Sequence, residues 1–483
     1  MRTAAAADSP FALHDAERER LSRRLAGALA AARSTGRAHL ASITVALPSG
    51  GDPAAVVCAS RRAGEPWFVL EQPERGSRAL AAVGEAVELR ASGAGRFSAL
   101  AARWRELAAD AFAEPSGGSH AAGPLALGGL SFAPDGAQSP HWRGFGPASL
   151  VVPELSLARG ERGGELLATM TLTALMQPDD DPDRVLERLL ERLEGLRAEP
   201  LPLLDPSPTG RFEVISAMPP EHYEQAVARA VELIRAGRMR KIVLSREVQV
   251  HAPRAYDPAA IFGVLRDEFP SCFVFCAGRG DSTLIAASPE LLLRREGQRV
   301  STLALAASSR RSADPAVDAH LGEQLLRDPS YREEHAIVAR RIERMLRPHS
   351  VWVASAPEPE LARIANIQHL ATPIRAQLAA PIEALELAGL MHPTPAVGGE
   401  PLSAAAPLIP ALEGLDRGWY LGPVGWTDTA GDGEFCVALR CALLSGAVAR
   451  CYAGGGIVRD SVPERELAET EVKLAALLPL LAG

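Results

Sequence analysis

Residues Ser288 to Leu305 read SPELLLRREGQRVSTLAL, and this stretch decides the fold class. Leu291 to Arg295 and Arg299 to Leu305 are two apolar-rich runs separated by Glu296-Gly297-Gln298, a glycine-containing connection of the length that closes a β-hairpin. Hairpins make antiparallel neighbours, whereas parallel neighbours need long crossovers. Upstream, Lys241 to Val250 alternates as a strand does, with Ile242, Leu244, Val248 and Val250 on one face and Lys241, Val243, Ser245, Glu247 and Gln249 on the other. Arg246 is the exception on the apolar side. Before it, Glu221 to Ala236 sets Ala226, Ala230, Val231 and Ile234 along one side of a helix that stops at Gly237. Downstream, helices are predicted over Glu333 to Leu346 and Glu464 to Leu480, and strands over Glu434 to Leu444 and Val448 to Ala453. Strands and helices mix without a regular βαβ order, which predicts an α+β fold with largely antiparallel sheets.

The clearest internal boundary is Glu199 to Gly210, EPLPLLDPSPTG, whose four prolines exclude helix interior and central strand. It divides the chain into residues 1–210 and 211–483. In the first part, Asp15 to Ala32 and Asp183 to Leu196 read as amphipathic helices, Ile43 to Leu47 and Trp67 to Leu70 as short strands, and Leu127 to Leu157 as strands joined by Gly and Pro turns.

Composition bounds the function. The chain has 483 residues, 47% of them hydrophobic, enough for about two to three structural units. Its 59 acidic and 51 basic side chains give a net charge of -8, which offers no broad attraction for a phosphate backbone, so no nucleic-acid partner is expected. Six scattered cysteines without a C-x-x-C pair read as reduced thiols. The alanine run Ala4 to Ala7 is followed by Arg18, Arg20, Arg23 and Arg24, which interrupt any signal-peptide core. No stretch approaches the ~18 apolar residues of a membrane span. A cytoplasmic location is the expectation.

No Walker loop, H-E-x-x-H or nucleophile elbow is present. Attention therefore falls on polar residues in apolar settings. Glu290 enters a strand directly before Leu291-Leu292-Leu293; it is either an exposed or salt-bridged carboxylate at a strand start or a desolvated acid able to donate a proton near neutral pH. Lys241 is either a solvated strand opener or, in a dry pocket, an amine that acts as a base. Glu466, Glu469 and Lys473 share one helix face by their spacing. With Glu334, those carboxylates either offer the hard oxygens magnesium prefers or form a solvated face with a Glu469-Lys473 ion pair. Gly454-Gly455-Gly456 is a tight turn or a place where backbone N–H groups approach an anion. Arg440 is a charge inside an apolar strand, suited to a carboxylate ligand. His369 and His392 read more readily as structural than as metal-binding.

Taken in order, the segments KIVLSRE (241–247), ASPELLLRREG (287–297), REEH (332–335), IQHLATPI (367–374), LMHPTPAVGGEP (390–401), LDRGWYLGPVGWTDTAGDGEF (415–435), ALRC (438–441), YAGGGIV (452–458) and the closing E-x-x-E-T-x-V-K that ends at Lys473 resemble the chorismate-utilising enzyme family. That family includes isochorismate synthases, salicylate synthases, anthranilate synthase and aminodeoxychorismate synthase. The likeness covers about residues 215 to 480, and more weakly Gly128 to Phe132 and Trp142 to Gly146. It implies two largely antiparallel β-sheets packed together with helices on the outside, the first 210 residues contributing strands and helices to a common fold and residues 211–483 carrying the chorismate-binding region.

The resemblance also implies roles. Lys241 activates water for attack on carbon 2 of chorismate, and Glu290 protonates the hydroxyl leaving carbon 4. Mg2+ is held through Glu334, Glu466 and Glu469. Ala307, Ser308, His369, Tyr420, Arg440, Lys473 and the Gly454, Gly455 and Gly456 backbone hold the substrate. Aminating members typically carry glutamine where Lys241 stands, and aminodeoxychorismate synthases carry a lysine in the segment matching Leu305 to Ser308, so water is the expected nucleophile. The HPTPAVGG segment looks like isochorismate synthase rather than salicylate synthase, and the long N-terminal half and the LDRGWYLGPVGW segment look more like the menaquinone type. Salicylate synthase, a siderophore-pathway isochorismate synthase and a non-catalytic chorismate-binding relic are the alternatives. Chorismate is the expected partner of a monomer or weak homodimer, without membrane association.

Two departures stand out. The family's usual L-A-G-[ST] appears as Leu305-Ala306-Ala307-Ser308, adding a methyl where glycine tolerates unusual backbone angles. Ser330 replaces a common lysine four residues before Glu334, and Tyr331 stands where an acidic residue is frequent.

Overall fold

A computed structural model describes residues 9–47, 51–114, 121–162, 165–364 and 366–483. The alanine run at 4–7 lies outside the described residues. Among them the chain forms one sheet of twelve strands and one of ten, and every pairing between named strands is antiparallel. The α+β reading with two antiparallel sheets holds.

The proline-rich stretch forms neither helix nor strand, yet both sheets mix strands from either side of it. Trp67–Gln72 pairs with Phe273–Arg279 in the larger sheet, and Leu125–Leu130 pairs with Pro423–Asp428 in the smaller. Strand periodicity explains how the larger sheet serves two cores. Phe273, Phe275 and Ala277 enter a core shared with Leu125, Leu293 and Phe435 of the other sheet. Val274 and Cys276, pointing the opposite way, join Leu21, Leu25, Leu189 and Phe262 from covering helices. No helix among the described residues is long and apolar enough to cross a membrane.

The hairpin forms as its sequence predicts, Leu291–Glu296 against Arg299–Arg310. Three elements differ from the sequence reading. The strand expected over Glu434 to Leu444 is two strands, Gly433–Val437 in the smaller sheet and Cys441–Ser445 in the larger. The chain crosses between sheets at Ala438-Leu439-Arg440, where Arg440 takes a left-handed φ of 51°. The helix expected to reach Leu480 spans Pro463–Leu474, followed by a short helix Leu478–Ala482, because Pro479 has no N–H to continue the ladder. The three glycines are not a turn: they extend the strand Val448–Ile457, with Gly454, Gly455 and Gly456 opposite Ser245, Leu244 and Val243.

A second crossing accompanies the first. Ser282–Ser288 lies in the larger sheet and Leu291–Glu296 in the smaller, so Pro289-Glu290 bridges them. The two crossings run side by side: Val437 N–H donates to the Glu290 carbonyl at 3.0 Å, Ala287 N–H to the Arg440 carbonyl at 3.1 Å, and the Ser288 hydroxyl to the Val437 carbonyl at 2.6 Å. The crossings place a carboxyl and a guanidinium at the seam between sheets.

Candidate active site

A cavity of about 310 Å³ opens beside this seam, and every site residue predicted from the sequence lines it: Lys241, Glu290, Ala307, Ser308, Glu334, His369, Tyr420, Arg440, Gly454, Gly455, Gly456, Glu466, Glu469 and Lys473. A larger cavity of about 540 Å³ beside Phe11, Val56, Leu157 and Leu201 holds none of them.

Lys241 opens the strand Lys241–His251 and is 1% exposed, so the solvated-edge reading is excluded. Its Nζ lies 2.9 Å from Glu334 Oε1. Glu334 comes from the helix Pro329–Leu346, which starts where the Asp328 side chain accepts from the Ser330 N–H and Pro329 fills the first helical position.

Glu290 is 4% exposed. Burial pushes its carboxyl up to about 8, against the opposing pull of Lys241 and Arg440. Below that pH it is a neutral acid, so the exposed-carboxylate reading fails as well.

Arg440 Nη2 lies 3.2 Å from His369 Nε2. The His369 ring also meets the backbone of Ala307, while burial, Arg440 and Lys473 hold the imidazole well below its ordinary range. A neutral ring thus ties Arg440 to the bulge at Ala307, which sits between Ala306 and Ser308 with φ at 59°. Tyr420 stacks on Tyr452 with ring centroids 5.0 Å apart.

The helix Pro463–Leu474 supplies the remaining charges. Glu469 Oε1 lies 2.6 Å from Lys473 Nζ and accepts from the Ser308 hydroxyl at 2.7 Å, and Lys473 also donates to the Gly454 carbonyl at 2.8 Å. Burial opposes ionisation of Glu469, but Lys473, Ser308 and Arg440 hold it below the usual carboxylate range. Glu466 is instead pushed up to about 7, by burial first and then by the repulsion of Glu469 and Glu334.

The glycines make this crowding feasible. A Cβ at Gly456 would stand 2.6 Å from Glu334 Oε1 and 2.8 Å from Lys241 Cε, and one at Gly455 would stand 2.8 Å from Glu466 Oε2.

Glu334, Glu466 and Glu469 are a hard-oxygen donor set whose mutual repulsion a cation would relieve, which fits a divalent metal. Among the described residues, no three acidic, histidine or cysteine side chains converge to enclose an ion. Glu334 and Glu469 are turned to Lys241 and Lys473, and an ion would have to draw them away.

Sequence reasoning missed three supports of the cavity. Glu413 accepts from the Ser245 N–H at 2.7 Å and from Arg417 Nε at 3.0 Å, while Arg417 also donates to the carbonyls of Val397 and Val243. The His335 ring bonds Thr372 Oγ1 at 2.7 Å, and burial pushes it down to about 4. Tyr223 is buried with its phenol raised by burial and then by Glu466 and Glu469. Arg417, the one cation in the segment from Leu415 to Phe435, was the legible signal among these.

Comparison with known proteins places this geometry. The sequence model of a family described as chorismate binding enzyme matches residues 27–482. The salicylate biosynthesis isochorismate synthase of Pseudomonas aeruginosa is 38% identical over 86% of this chain and 85% of its own length. The isochorismate synthase MenF of Bacillus subtilis is 32% identical over 75% and 76%. Among solved structures, the menaquinone-specific isochorismate synthase of Escherichia coli superposes with a TM-score of 0.75 at 26% identity, covering 96% of this chain and all of that one.

Proposed function

Because the chain belongs to the chorismate-binding enzyme family, we propose that it is a magnesium-dependent isochorismate synthase. The observation that carries the reading is a buried acid, Glu290, raised to about 8 and sharing one cavity with the buried amine of Lys241.

The displacement balances as follows. A water oxygen bonds to carbon 2 of chorismate as its proton passes to the Lys241 amine. The ring double bonds shift, the carbon 4 to oxygen bond breaks, and Glu290 donates the proton with which that oxygen departs as water. One water enters and one leaves, so the reaction is an isomerisation. In the ion pair with Glu334, Lys241 is an ammonium, so it must first give up a proton, for which Glu334 Oε1 at 2.9 Å is the adjacent acceptor, before its amine can take one from water. Arg440, held by neutral His369, and Lys473 present cations to the substrate carboxylates, an attraction that strengthens where bound substrate displaces water. Glu334, Glu466 and Glu469 would hold Mg2+, which supplies further positive charge for a ring carboxylate.

Lysine at 241 supports water over ammonia as nucleophile. The long N-terminal half and the likeness to the menaquinone-specific enzyme support supply of menaquinone synthesis. The P. aeruginosa relative favours a second reading, in which the isochorismate feeds salicylate.

The test is incubation of the purified protein with chorismate and Mg2+, with products separated by chromatography, beside Lys241→Ala and Glu290→Gln. Isochorismate from the parent and a loss of about 10²–10⁴-fold in each variant is expected. Salicylate with pyruvate as the main product, or binding without turnover, would overturn it.

A further inference from the structure

The smaller sheet ends on the strand Ser350–Ser355, SVWVAS, whose one described strand neighbour is Ile367–Leu378. It carries neither a charge nor a proline, the two residue types that most often keep such an edge from pairing. Val351 is 70% exposed and Trp352 47%. Other edges are better guarded. The outward groups of His39–Ala46 are taken, since Phe112 N–H donates to the Leu40 carbonyl, Ser42 N–H to the Phe112 carbonyl and Thr44 N–H to Glu114. Val87–Arg90 is four residues long and contains Glu88 and Arg90, and Glu213–Ser216 is as short and opens on a glutamate.

The register shows which backbone groups of the strand are open. Ala356 N–H donates to the Pro373 carbonyl at 3.4 Å, and the ladder continues with Ala354 opposite Arg375 and Trp352 opposite Gln377. Antiparallel bonding alternates along a strand, so the N–H and C=O of Val353 and Ser355 point away from this neighbour, and no described strand lies beyond them. A register shift at Val351 bends the start of the strand and leaves Trp352 to Ser355 regular.

We propose that this edge is a self-association surface, where a second copy of the chain pairs antiparallel and joins the two smaller sheets edge to edge. A twofold axis perpendicular to the sheet opposes one residue to its own copy. With Val353 at that centre, its N–H and C=O meet those of the other Val353, and Trp352 lies opposite Ala354, whose small side chain leaves room for the indole. The charges flanking the strand fit the same arrangement. Arg347 and His349 precede it, and Glu358 and Glu360 follow it, so antiparallel pairing sets the basic end of each copy against the acidic end of the other. Arg347 and Glu358 are free to take part, because their present ion pairs, with Glu343 and Arg332, are solvent-exposed and weak. Six residues a side fall well short of the about 20–30 of a standard interface, so the dimer is weak and reversible. The proposal stands apart from the proposed activity.

Sedimentation of the purified protein over about 1–500 μM, the range in which so small an interface dissociates, should show monomer giving way to dimer. Val353→Pro removes both N–H donors of the central pair, one from each copy, and no bond to Ile367–Leu378. Its dimer dissociation constant should rise roughly tenfold or more, with circular dichroism confirming that the chain still folds. Arg347→Glu and Glu358→Arg test the ends without touching the strand. Each alone sets like charges together at both ends and should weaken the dimer; mixed, the two proteins set opposite charges at both ends and should pair with each other, which labelling one of them reveals. A parent that stays monomeric at the highest concentration overturns the proposal. So does a dimer that survives Val353→Pro, or charge variants that pair no better together than apart.

Discussion

Replacing Glu290 by glutamine should leave the protein only a small residual rate and make it, at alkaline pH, more stable. In the folded chain burial raises this carboxyl from 4.5 to about 8. Between those values the folded state keeps the proton and the unfolded chain releases it, so stability falls with rising pH by about 1.4 kcal/mol per unit. The stability is fully present below about pH 4.5 and is lost through about pH 8. The window amounts to about 3 to 5 kcal/mol by its upper end, roughly 2 kcal/mol of which is already lost at pH 6. Glutamine has nearly the same shape and no charge, and escapes this loss. Its buried amide costs about 1 kcal/mol if unpaired, which leaves the variant near the parent at pH 5 and clearly ahead at pH 8.5. Urea denaturation of both proteins at pH 5.5, 7 and 8.5 measures the difference. Expected is a gap that widens with pH in favour of Glu290→Gln. A gap independent of pH would mean that the carboxyl ionises as freely in the folded protein as in the unfolded chain, and the acid role would fall with it. The same ionisation should give the parent an alkaline decline in kcat/KM centred near pH 8, absent from the residual rate of the variant.

Gly456→Ala should lower kcat about 10²-fold, since its Cβ would stand 2.6 Å from Glu334 Oε1 and 2.8 Å from Lys241 Cε and displace both groups; steady-state kinetics checks it, and parental kcat would show that the pair can shift harmlessly. Arg417→Leu should cost about 3–5 kcal/mol in chemical denaturation, because it leaves Glu413 buried and unpaired beside the Ser245 N–H. Adding Glu413→Leu to that variant should recover part of the loss. Treatment with EDTA should abolish isochorismate formation and excess Mg2+ restore it; activity that survives chelation would remove the metal role given to Glu334, Glu466 and Glu469.

The sequence disclosed most of the elements and few of their connections. Alternation at 241–250 and the turn at Glu296-Gly297-Gln298 are local, and both strands appear where the pattern sets them. The apolar run through Ala438 and Leu439 continues the period across a change of sheet, so Arg440 looked like a charge within one strand. Its left-handed backbone is set by the ladder on either side, and no residue type at 440 announces it. The glycines at 454–456 misled in the opposite sense. Glycine usually marks a turn, but here the absent side chains make room for Lys241, Glu334 and Glu466 across an extended strand.

The site residues were legible because their order matched a family pattern, and that pattern carried information the periodicity lacked. What it could not convey is why Glu290 and Arg440 belong together. The fold answers this through its two adjacent crossings. A strand that stayed within one sheet would direct its side chains to a face already packed. A strand that leaves one sheet for the other must turn at the seam, and the residues there point into the gap between layers. With two crossings hydrogen-bonded to each other through Val437 and Ala287, backbone bonds set where the acid and the guanidinium leave the chain, and His369 adds a side-chain contact to the guanidinium alone. Glu290 can therefore remain without a charged partner in contact, which keeps its proton available.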